Sequence, residues 1–145
     1  MSPISGRIRD ELVRAYAAPD RHYHNLAHIE AMLDLMRAHE GALSEPTSVE
    51  AAIWFHDAVY DTRQHDNEEK SAELAAERLA GVLSPDRIAR IVSMIRATAG
   101  HVVPEGFDEA ARRDCALFLD MDLAILGSAP DAFAAYEAAV RREYG

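Results

Sequence analysis

Residues 84–100, Ser84-Pro85-Asp86-Arg87-Ile88-Ala89-Arg90-Ile91-Val92-Ser93-Met94-Ile95-Arg96-Ala97-Thr98-Ala99-Gly100, spell out a helix from cap to stop. The Ser84 hydroxyl can accept from an amide of the first turn. Pro85 suits the first helical position, where a backbone N–H would have no partner in the helix. Ile88, Ile91, Val92 and Ile95 then recur at three-and-four spacing, which gathers them into one stripe at 3.6 residues per turn, and Gly100 terminates the run.

The same grammar extends upstream. Asp66 with Glu69 forms a capping-box pattern for a helix ending near Ala80, and Gly81 stands where a carboxyl terminus commonly turns left-handed. Thr47 with Glu50 repeats the pattern for a helix running to about Tyr60, and Ala51 to Phe55 is its most apolar part. A helix from about Asn25 to His39 presents Leu26, Ile29, Leu33 and Met36 on one side. The first, from about Ser5 to Ala17, presents Ile8, Leu12 and Ala15 and stops at Pro19. Downstream, a helix from about Asp108 to Leu126 follows a loop through Pro104 and Gly106, and Ser128 to Pro130 open a last one reaching Tyr144. Two-residue alternation is convincing nowhere, so the expected fold is an all-α bundle of about seven helices spanning residues 1–145 as a single domain.

Composition sets the outer bounds. The chain has 145 residues, of which 49% are hydrophobic and 28% charged, enough to build one core without staples. A single cysteine, Cys115, allows neither an internal disulfide nor a cysteine-built zinc site, and a reducing cytoplasm is the expected compartment. Residues 1–18 interleave Arg7, Arg9, Asp10, Glu11 and Arg14 with apolar positions and resemble no signal or anchor. No apolar run approaches the ~20 residues of a bilayer span. Fifteen basic against 25 acidic side chains leave a formal charge of −10, which argues against duplex nucleic acid and anionic membrane as partners. A phosphorylated ligand would need a cation to reverse the local field.

The histidines are unevenly placed. His22, His24 and His28 cluster before and within the second helix, and His56 adjoins Asp57 inside the third. His24 and His28 share a face if the helix starts early enough. His56 has Ala52, Ile53 and Val59 at helical distance, and Asp57 has Ile53, Trp54 and Tyr60. An uncompensated carboxylate in such surroundings would cost several kcal/mol, which a bound cation removes. In residues 117–126, Asp120 and Asp122 lie about 200° apart on a helix. Phe118, Leu119, Ile125 and Leu126 flank Asp122 at three-and-four spacing, so Asp122 is the expected inward carboxylate, with Asp120 the fallback. Glu-x-x-His pairs, the mark of a di-iron bundle, occur nowhere.

In their order, His28, then His56-Asp57, then Asp122, these residues resemble the HD superfamily of metal-dependent phosphohydrolases. The blocks at 21–28, 56–60, 66–69 and 120–127 are similar, more narrowly, to its small bacterial subgroup of predicted HD phosphohydrolases. Tyr23-His24-Asn25 also resembles the first motif of cyclic-nucleotide phosphodiesterases. The resemblance implies a helical core gripping a divalent ion with His28, His56, Asp57 and Asp122. That donor set suits Mn²⁺, Fe²⁺, Co²⁺, Ni²⁺, Zn²⁺ or Mg²⁺ without choosing among them. It further implies hydrolysis of a phosphate ester of a nucleotide or related small metabolite by metal-activated water. Asp57 and His24 count among the catalytic residues, His24 protonating the leaving oxygen or orienting water, or else capping the second helix. Arg21, Arg63 and Lys70 are candidate phosphate contacts and Glu68 a candidate proton carrier. His101 is either a further histidine for a second metal or for substrate phosphate, as in some relatives, or a cation at the end of the fifth helix. A catalytically weak metal- and nucleotide-binding regulatory module is the alternative. Subgroup members commonly continue past the segment resembling Tyr136 to Tyr144 with helices that would cover the pocket or support an oligomer, so the resemblance implies an activity that is reduced, altered or dependent on self-association, with a homo-oligomer among the candidate partners.

Overall fold

The third helix decides the architecture, because it is apolar on every side. In the computed structural model, which describes residues 4, 6–16, 26–59, 66–100 and 102–127, the elements run α1 (Gly6–Tyr16), α2 (Leu26–Ala38), α3 (Pro46–Phe55), α4 (Asn67–Leu79), α5 (Pro85–Ala97) and α6 (Glu109–Gly127). A 3-10 turn, Glu40–Ala42, follows α2. Ser48, Val49 and every residue from Ala51 to Phe55 are buried, and α2, α4, α5 and α6 all pack against α3. A helix with no polar face has to occupy the centre of a bundle.

The surrounding helices each contribute a stripe. Ile29, Met32, Leu33 and Met36 of α2, Ala72, Ala75 and Leu79 of α4, and Ile91, Met94 and Ile95 of α5 meet in one core with Cys115, Phe118 and Leu119 of α6. Burying each large side chain of this set contributes about 1.5–3 kcal/mol. On α5, Ile91 and Ile95 are fully buried, whereas Ile88 and Val92 pack on the core's edge. On α1 the third inward residue is Tyr16, buried, rather than the half-buried Ala15. The molecule is all-α: no strand occurs among the described residues, and no helix among them is long and apolar enough to cross a membrane. The helix expected at 128–144 lies outside the described residues.

Helix termini follow the sequence in part. Ser84 caps α5 by accepting from the Arg87 N–H, with Pro85 next to it, and Gly81 after α4 has a φ of 81°. Neither capping box forms. At Asp66 the side chain makes no cap bond and Oδ1 lies 3.7 Å from Lys70 Nζ, while Glu69 forms a two-pronged pair with Arg96 that ties α4 to α5. The third helix starts at Pro46, before Thr47, and its amino end is capped from a distance: the buried Asp114 of α6 accepts the backbone N–H groups of Ser44 and Glu45, each at 2.8 Å. A charged acceptor held by a neighbouring helix does the work of a local cap and also fixes the register of α6 on α3. Nor does α3 run to Tyr60. It ends at Phe55, leaving His56 to Val59 in a turn.

Candidate metal centre

The early end of α3 makes the site. His28 lies in the first turn of α2, His56 and Asp57 follow the last residue of α3, and Asp122 lies near the end of α6. The contacts of α3 with α2 and α6 bring these three stretches together. His28 Nε2 is 2.8 Å from Asp122 Oδ1 and 4.0 Å from Asp57 Oδ2. His56 Nε2 is 3.1 Å from Asp57 Oδ2 and 3.5 Å from Asp122 Oδ1.

His56 shows what the cluster is suited to hold. Its Nδ1 stands 2.7 Å from the Ile53 carbonyl, which can only accept, so Nδ1 carries the hydrogen and the neutral ring turns a lone pair on Nε2 toward the carboxylates. Nε2 is buried and has no hydrogen-bond partner, the Asp57 oxygen being close but off the required direction. Phe118 stands edge-on against the imidazole, with centroids 5.7 Å apart, and closes that side to water. A bare lone pair facing two carboxylates is repulsive until a proton or a cation comes between them. Burial works against the protonated ring, but Asp57 and Asp122 outweigh it and hold the His56 pKa well above its ordinary value.

The spacing also suits a cation, although the 2.8 Å pair of His28 and Asp122 would open slightly around one. Two ligand atoms each about 2.1 Å from one ion stand about 3.0–4.2 Å apart, depending on the angle between them. One ligand atom from each of His28, His56 and Asp122 lies within 4.8 Å of the others, a set able to hold a metal ion. Asp57 stands beside this triad, touching both histidines rather than completing the tightest group. The histidine side chains are 3% and 1% exposed and those of Asp57 and Asp122 are 18% and 14%, so imidazoles form the floor and carboxylates the mouth.

The turn bearing His56 and Asp57 is held from two sides. Tyr16 of α1 donates its hydroxyl to the Trp54 carbonyl at 2.8 Å and accepts the Asp57 N–H at 3.2 Å. Ser71 of α4 accepts the Val59 N–H at 3.0 Å and donates to the Val59 carbonyl at 3.2 Å. Sequence reasoning missed both hydroxyls. A signal existed for Tyr16: at position i+4 from Leu12 on an apolar stripe, its hydroxyl requires a buried partner.

The other expected site residues divide into two groups. Arg21, His24, Arg63 and His101 lie outside the described residues. Glu68 is half-buried on the first turn of α4, and Lys70 is exposed and paired with Asp66 instead of reaching the cluster as a phosphate contact. Asp120 is exposed, and Asp122 is the carboxylate of α6 that meets the histidines. Comparison with protein-family models, curated proteins and solved structures returns no match to this chain.

Proposed function

We propose that the protein is a metal-dependent phosphohydrolase of the HD type, acting on a phosphate ester of a nucleotide or a related small metabolite. The observation that carries this reading is the meeting of His28, His56, Asp57 and Asp122 from three remote stretches, with the buried His56 Nε2 aimed among carboxylates. His28, His56 and Asp122 would hold the ion, with Asp57 beside them. A divalent ion bound there would supply Lewis acidity toward a phosphoryl oxygen and toward water.

The chain's own residues do the rest. The Ile53 carbonyl fixes the His56 tautomer, and Phe118 keeps water from that ring. Asp57, at the mouth, is placed to receive on Oδ2 the proton of an attacking water. Local charge compensation by the ion matters in a molecule of net charge −10, which would otherwise repel a phosphate ester. The test is a screen of nucleotides and small phosphate esters with added Mn²⁺, Co²⁺ or Mg²⁺, following released phosphate in wild type and in His56→Ala. Release by wild type that disappears in the variant supports hydrolysis. Ligand-induced stabilisation without release would mark a binding module instead.

A further inference from the structure

In an unbroken helix the Asp57 N–H would donate to the Ile53 carbonyl, and the Trp54 carbonyl would accept the Ala58 N–H. Both bonds are replaced. The Ile53 carbonyl takes the His56 ring N–H, the Ala58 N–H goes to the Phe55 carbonyl at 3.0 Å, and the two groups left over, the Trp54 carbonyl and the Asp57 N–H, meet on one atom, the Tyr16 hydroxyl. Tyr16 is 1% exposed, and it reaches this point from α1, a helix that contributes none of the four clustered residues.

We propose that Tyr16 is a positioning residue for the metal centre, its hydroxyl acting as a wedge that ends α3 one residue before His56 and thereby aims His56 and Asp57 at His28 and Asp122. The inference rests on reading the cluster as a metal centre. A hydroxyl suits the task because it donates and accepts at once and so satisfies both broken ends of the helical ladder. A phenylalanine ring would fill the same space and satisfy neither. With the oxygen gone, the two backbone groups regain partners by extending α3 by a turn. That extension would withdraw the Ile53 carbonyl from the His56 ring and turn Asp57 about the helix axis.

The experiment compares wild type, Tyr16→Phe and His56→Ala by Co²⁺ titration, reading affinity and the visible absorption of the bound ion, with thermal unfolding of the chelated proteins alongside. Wild type should bind, and His56→Ala should not. Tyr16→Phe should lose about 10–100-fold in affinity and show a changed Co²⁺ spectrum, as groups that orient metal ligands do when removed. Wild-type affinity and spectrum in a folded Tyr16→Phe would overturn the wedge while leaving the metal centre standing. Failure of wild type itself to bind would overturn both. Should Tyr16→Phe not fold, 3-fluorotyrosine placed at position 16 keeps the ring and makes the oxygen a poorer acceptor. Its Co²⁺ spectrum must then differ from wild type, and identity would overturn the proposal.

Discussion

Asp120 and Asp122 are two residues apart and chemically identical, and the helix gives them opposite fates. Asp122 faces His28 and His56, while Asp120 faces solvent. Asp122→Asn should therefore reduce metal uptake at least tenfold, and Asp120→Asn should leave it unchanged, as equilibrium dialysis with Mn²⁺ would show. The choice between them was legible in the sequence because burial follows the arc of apolar neighbours. The interposed hydroxyls were not, because a local pattern cannot say which remote atom will meet a broken backbone bond. His56 carries a pH signature. Its folded-state pKa is raised, so in chelated protein its contacts with Asp57 and Asp122 stabilise fully below the ordinary value of 6.5 and are lost as pH climbs through the elevated one. The unfolding midpoint of chelated wild type should fall on going from pH 6.5 into the alkaline range, and His56→Gln should flatten that fall. Metal affinity should move the opposite way, since an ion needs the Nε2 lone pair.

At the scale of elements, α3 is fixed at both ends by groups on other helices: Asp114 at its start, Tyr16 and Ser71 beyond its end. Helix existence and type were readable from spacing alone, as residues 84–100 illustrate, but both limits of α3 were misplaced. Thr47 with Glu50 offered a plausible local cap, and nothing within 47–60 signals that α6 supplies the real one. Likewise Glu69, read as half of a capping box, is drawn off by Arg96 of α5. Asp114→Ala removes the acceptor for two amides and should destabilise the fold by about 1–2 kcal/mol, measured by urea unfolding. An unchanged midpoint would show that water replaces the cap at no cost.

At the scale of the whole molecule, one apolar helix at the centre brings α2 and α6 close enough for their polar residues to meet at its end. An ion bound among these imidazoles and carboxylates would make folding and metal uptake interdependent. Saturation at about a thousand times the dissociation constant contributes about 4 kcal/mol. For a chain of this size that raises the unfolding temperature by roughly 10 °C, and a chelator should reverse the gain. The most direct test is anomalous diffraction at the cobalt edge from crystals grown with Co²⁺. A peak about 2.0–2.2 Å from His28 Nε2, His56 Nε2 and an Asp122 carboxylate oxygen is the predicted result. Well-ordered side chains at these positions with no peak among them, at saturating cobalt, would contradict it.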